Sequence, residues 1–164
     1  MLDSTVEILS LYISNPYIII ILISMIPVIE SRGSIPYGIL VLGLPWYKVV
    51  IVSIIANFLI TIPIIYLLDP ISRYFRKFDI SKKFFNWLFA RSERKGGIIN
   101  KLKVVGLIIF IGIPLPVTGA WTGCVAANIF RINKFYTLIG VFFGILISVM
   151  IITALTLTGK TFFS

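Results

Sequence analysis

Glu30 and Arg32 stand two positions apart in the stretch Glu30-Ser31-Arg32-Gly33-Ser34-Ile35-Pro36, directly after an apolar run over 16–29. That run is too short to cross roughly 30 Å of hydrocarbon at about 1.5 Å per residue. A carboxylate and a guanidinium therefore sit where a spanning helix would still need apolar side chains. Either the stretch is a solvent-exposed turn, or the chain enters a membrane, breaks at Gly33 and Pro36, and returns to the side it came from. In the second case each charge costs roughly 2.5–3.5 kcal/mol on insertion scales, so such groups pair, line a cavity and act on something. A buried carboxylate can carry a proton, with a neighbouring arginine opposing its neutralisation. The planar guanidinium fork can hold a phosphate. A static ion pair bracing the turn, or an arginine snorkelling to the surface, would use the same residues.

A second stretch, Pro114-Leu115-Pro116-Val117-Thr118-Gly119-Ala120-Trp121-Thr122-Gly123, closes another half-length apolar run over 104–113. Gly33, Gly119 and Gly123 permit close backbone approach, while Pro36, Pro114 and Pro116 enforce breaks. The spacing predicts half-helices that start at Ser34 to Pro36 and at Thr118 to Gly119, with Thr118 as a cap. Their first N–H groups would face the middle of the membrane and stabilise an anion there. The preceding half-helices would end near Ile29 and Gly112, presenting carbonyls to a cation or a proton-bearing group. The candidate binding set is Glu30, Arg32, Gly33, Ser34, Pro36, Pro114, Pro116, Thr118, Gly119 and Trp121, the last either lining a path or packing. Asn57 reads as helix-to-helix glue and Cys124 as a small packing residue.

The elements that must position these residues follow from composition. Of 164 residues 59% are hydrophobic, and the mean hydropathy is +1.06, against about 45–50% apolar residues in soluble domains. The reading is an all-α integral membrane protein forming a single membrane domain. With no histidine and one cysteine, it can build neither a Cys/His metal site, a histidine-based triad nor an internal disulfide. No nucleophile-base pair or cofactor motif appears, so no enzyme, metal or cofactor is expected. The first residues lack a basic n-region, and no cleaved signal peptide is expected. The net charge of +9 is concentrated between Arg73 and Lys103, where ten basic residues face only Asp79 and Glu93. A cytoplasmic juxtamembrane segment that attracts anionic headgroups explains this better than nucleic acid does.

In chain order the pattern predicts an interfacial helix over 1–15, a first repeat over 16–68 with hairpin 16–44 and span 49–68, and a basic amphipathic linker over 69–103. A second repeat follows over 104–158, with hairpin 104–130 and span 135–158. Asp69-Pro70 is expected to end the first span, and Gly96-Gly97 the amphipathic helix. A shift of 86 positions lays Gly33 on Gly119 and Lys48 on Lys134. If both broken segments are re-entrant hairpins, each half crosses once and the halves are inverted relative to one another. The basic segment, Arg131 and Lys134 then share the cytoplasmic side, leaving Lys48 and Lys160 outside and Arg32 at depth. Four plain spans would instead put Arg131 and Lys134 outside, against the positive-inside rule. Short apolar hairpins also expose surface that a symmetric homodimer could cover.

Glu30-Ser-Arg32-Gly33-Ser-Ile-Pro36-Tyr-Gly38 and Pro114-Leu-Pro116-Val-Thr-Gly119-Ala-Trp121-Thr-Gly123 together resemble the two signature stretches of the small multidrug export family, a relative of the DedA/VTT superfamily. The resemblance spans roughly 16–158. It implies facing re-entrant hairpins plus spanning helices in inverted repeats and, for the wider superfamily, proton-linked translocation or scrambling of polyprenyl phosphates or phospholipids. The family name implies drug export. Two departures stand out: Val117 where the pattern has glycine, and no arginine in 114–123 to match the one DedA proteins carry in their second hairpin. Three function classes are compared: a lipid-phosphate translocase, an exporter whose binding carboxylate is Glu30, and a membrane-shaping protein that does not transport.

Overall fold

A computed structural model of the chain describes residues 15–75, 96–115 and 118–163. Every regular element among the described residues is helical: α1 (Pro16–Met25), α2 (Glu30–Pro36) continuing into a π-helical turn (Tyr37–Val41), α3 (Trp46–Phe75), α4 (Gly96–Gly112), α5 (Ala120–Ile129) and α6 (Lys134–Phe163). The interfacial helix expected before Asn15, the aromatic and basic faces over 76–95, and Pro116 with Val117 lie outside the described residues.

α1 opens on Asn15, whose side chain accepts from the Tyr17 amide at 3.0 Å, with Pro16 preset for the first turn. It stops at Met25 rather than near Ile29, because Ile26 precedes Pro27 and is held extended (φ −71, ψ 127). The first break is therefore the segment 26–29. Gly33 and Pro36, expected to break the chain, lie inside helix, and Ser34 to Pro36 is not a helix start. Pro36 lacks the N–H of a regular turn, and the chain widens just beyond it, where the Leu42 amide bonds back to the Tyr37 carbonyl at 3.1 Å.

The long helices exceed their expected bounds. α3 is 30 residues long and runs through Pro63, Asp69 and Pro70, so Asp69-Pro70 does not end it. α6 also has 30 residues. Gly96-Gly97 opens α4, so helix enters the 69–103 linker from both ends; the amphipathic helix expected to stop there lies outside the described residues. Trp46–Leu68 (mean hydropathy 2.5) and Lys134–Phe162 (2.7) are long and apolar enough to cross a membrane.

Side-chain contacts fix how the helices run. The Phe58 and Phe142 rings lie 5.3 Å apart and the Lys134 ammonium sits 4.6 Å above the Tyr66 ring, so α3 and α6 are antiparallel. α4 runs parallel to α6, with Leu107 against Gly140, Ile111 against Gly144 and Ile147 against Gly112; the two glycines four residues apart let the backbones close in. α5 folds back along α4, bringing Ile111 against Gly123 and the Lys103 Nζ to the Phe130 carbonyl at 3.1 Å. α2 likewise folds back on α1, with Ser24 bonded to Ser34 and Ile20 against Gly38. The tip of the first hairpin lies beside Asn57 in the middle of α3, and that of the second beside Ile147 in the middle of α6. Ile20, Ile35, Ile39, Val49, Ile111 and Ile145 form the dry centre.

Candidate functional site: the meeting of two helix breaks

The first break supplies charges to the second. Glu30 is buried at the start of α2, and its carboxylate accepts from the Ala120 amide at 3.2 Å and the Trp121 amide at 3.1 Å. These are the first amides of α5, whose N-cap, Gly119, has no side chain to satisfy them. The carboxylate thus caps a helix 90 residues away in sequence and sits on its positive end. Gly119 makes the approach possible, since a Cβ there would lie 2.7 Å from both carboxylate oxygens.

Arg32 reaches the other side of the same break. Its Nη1 donates to the Leu115 carbonyl and its Nη2 to Thr118 Oγ1, the latter at 3.1 Å. Thr118 is not the cap expected of it: its hydroxyl turns back toward the Ile113 and Leu115 carbonyls at 2.8 and 2.9 Å and accepts from the Leu115 amide at 3.2 Å. Both slots expected of broken helices are thereby filled from within. Glu30 occupies the anion position at an N-terminus, and Arg32 the cation position among freed carbonyls. Glu30 bonds to the α5 amides and Arg32 to Leu115 and Thr118, in place of the direct pair that would brace one turn.

The remaining expected residues divide. Gly119 and Trp121 join this cluster, Pro114 is half-buried within the break, and Pro116 lies outside the described residues. Gly33 sits one turn into α2, where a Cβ would come within 2.3 Å of the Ile29 side chain; Pro36 lies farther along that helix. Ser34 points into a hydroxyl chain, accepting from Ser24 at 2.7 Å and meeting Ser53 at 2.9 Å. Asn57, read as glue, donates to Ser31 Oγ at 3.4 Å and so joins α3 to α2.

Ser24 and Ser31 carry no local signal in the sequence, whereas Ser53, Asn57 and Thr61 are the polar groups of an otherwise apolar span and, four apart, mark one helix face; all three are buried. Among the described residues, Arg32 Nε, Trp121 Nε1 and Asn57 Oδ1 are buried with no hydrogen-bond partner, and no cluster of His, Cys, Asp or Glu could hold a metal ion. Cys124 is buried.

A family model described as "Putative small multi-drug export protein" matches residues 30–151. The chain belongs to this family. The matched region begins at Glu30, directly after the first break, and contains the second break, α3 and most of α6, so the small multi-drug export family region includes the whole cluster. With two apolar helices of spanning length, the family places the chain among membrane proteins. No curated protein and no solved structure matches the chain.

Proposed function

We propose that this protein is a multi-pass membrane transporter that moves an anionic amphiphile, a phospholipid or polyprenyl phosphate, with Glu30 as a proton-linked plug. The observation that carries the reading is the Glu30 carboxylate seated on the Ala120 and Trp121 amides beside Arg32. A carboxylate held there marks a position suited to an oxyanion. For a substrate phosphate to take those amides, Glu30 must leave. Protonation removes the charge that makes its two hydrogen bonds strong, since charge-assisted bonds are roughly twice as strong as neutral ones. A phosphate could then use the α5 amides and the guanidinium, with the unspent Arg32 Nε and Trp121 Nε1 donors in reserve. Loss of the proton would return Glu30 and expel the anion.

The helix directions support two re-entrant hairpins in inverted repeats, as the wider DedA/VTT resemblance implies. Four consecutive spans would make α3 and α6 parallel; hairpins that return to their own side make them antiparallel. Antiparallel is the observed direction. In this arrangement the tips meet near mid-depth, where irregular backbone is tolerated beside protein or a cavity. The basic segment over 70–103 then lies on the cytoplasmic face of the cell membrane, against anionic headgroups. Exposed apolar faces such as Phe143, Met150 and Leu155 on α6 are open to lipid or to a second copy. We assign the protein no enzymatic step, cofactor or nucleic-acid partner.

The family match favours a second reading, export of small molecules. A cationic drug would need the Glu30 carboxylate, which two amides already hold with Arg32 close by. A small anionic drug would use the same slot as a lipid phosphate. The test is transbilayer movement of a fluorescent phospholipid or polyprenyl phosphate in proteoliposomes. Movement by the wild type that both Glu30→Gln and Arg32→Ala abolish supports the translocase. Lipid movement absent from the wild type, or unchanged in both variants, removes it, and movement of a small drug instead supports the exporter.

A further inference from the structure

A groove of about 340 Å³ opens between α4 and α5, away from the two breaks, lined by Lys103, Leu107, Phe110, Ala127, Phe130 and Ile132 with Gly106 on its wall. Its volume is at the lower end for small-ligand pockets, about 300–1,000 Å³. We infer that this groove docks one acyl chain of an anionic phospholipid, with the headgroup phosphate on Lys103.

Charge and shape argue for that occupant. Lys103 is the charged group of an otherwise apolar lining. Its ammonium carries three donors, and the structure spends one on the Phe130 carbonyl, which leaves donors for a phosphate oxygen at the groove mouth. A cation at the groove mouth favours an anionic over a zwitterionic headgroup.

Gly106 is the independent observation. It sits mid-helix in α4, where glycine costs about 1 kcal/mol relative to alanine. Yet a Cβ there would meet nothing within 4 Å, unlike Gly112, Gly123, Gly140 and Gly144, each of which lets another part of the chain approach. Among the described residues nothing fills the space above Gly106, and a hydrocarbon chain lying in the groove would fill it.

The inference rests on the membrane placement proposed above, and its readout is binding rather than transport. The probes are phosphatidylglycerol and phosphatidylcholine, each with a diazirine in one acyl chain, presented in nanodiscs and mapped by mass spectrometry. Wild-type protein is expected to be labelled severalfold more by the anionic probe, within 103–132. Lys103→Gln should erase that preference, and Gly106→Leu, which adds volume where there is room, should suppress labelling with no loss of thermal stability. Glu30→Gln should leave labelling intact while stopping transport. Labelling that follows this pattern when the wild type moves no lipid would sustain the groove and remove the translocase reading. Equal labelling by the two probes, or labelling insensitive to Gly106→Leu, overturns the groove. A change in oligomeric state on Gly106→Leu with labelling intact would overturn it too, in favour of a contact between copies.

Discussion

Arg32 Nη2 donates to Thr118 Oγ1 at 3.1 Å, and the two residues stand 86 positions apart, the shift that lays Gly33 on Gly119 and Lys48 on Lys134. The bond ties the residues just after the first break directly to the second, and with the bond to the Leu115 carbonyl it lets one arginine hold the two breaks together.

Because Arg32 holds the Leu115 carbonyl and Thr118 through separate nitrogens, lysine cannot replace it. Arg32→Lys is expected to lower stability by about 0.5–1.5 kcal/mol, the net worth of a hydrogen bond at a partly exposed site. Thr118→Val should cost a similar amount. In a double-mutant cycle read by thermal unfolding in detergent, the two should couple by about 0.5 kcal/mol or more. Additive losses would mean that the bond contributes nothing.

Gly119→Ala tests the seat of Glu30 without altering Glu30. The new Cβ would lie 2.7 Å from both carboxylate oxygens, so the carboxylate must withdraw from the α5 amides. Losing hydrogen bonds to a charged group costs about 1.5–3 kcal/mol. Unfolding should show a loss in that range, and on a Glu30→Gln background the same substitution should cost measurably less, because the charge it displaces is already gone.

What the sequence revealed followed the range of the interactions. The second break was legible because Pro114 and Gly119 act on their own backbone, and the end of α4 at Gly112 agrees with the expectation. The first was misplaced by several residues: Gly33 and Pro36 are helix breakers in isolation, but packing of α2 against α1 and α3 holds both in helix, and Pro27 makes the break instead. Pro63 also lies inside helix, and the backbone of α3 runs on through Pro70. The Glu30 to α5 contact could not be read at all, since no local pattern says which carboxylate will cap a helix that starts with glycine.

The misplaced break carries its own prediction. Val28 and Glu30 adopt left-handed backbone, with φ of 80 and 50, and a β-branched residue is poorly suited to it. Val28 is 84% exposed, so its side chain contributes little packing to offset the strain. Val28→Gly is expected to raise stability by about 1 kcal/mol, the scale of the left-handed penalty. A lower unfolding temperature would show that the valine side chain is needed at the hairpin tip, as it would be at a contact with lipid or a second copy.

The antiparallel packing of α3 and α6 makes the membrane arrangement testable with single cysteines. Cys124 is buried and is the chain's one cysteine, so a Cys124→Ala background is clean and costs little packing. Trp46 and Tyr66, near the two ends of the apolar part of α3, and Phe135 and Phe162, near the two ends of α6, are all exposed. If the breaks are re-entrant, cysteines at 46 and 162 should react with an impermeant maleimide from the outer face, and those at 66 and 135 only from the cytoplasmic face. Four consecutive spans predict another grouping, 46 with 135 and 66 with 162. The same four variants therefore give opposite answers. The second grouping would place the ends of α3 and α6 where antiparallel helices cannot put them, and the mid-depth site between the hairpin tips would have no basis.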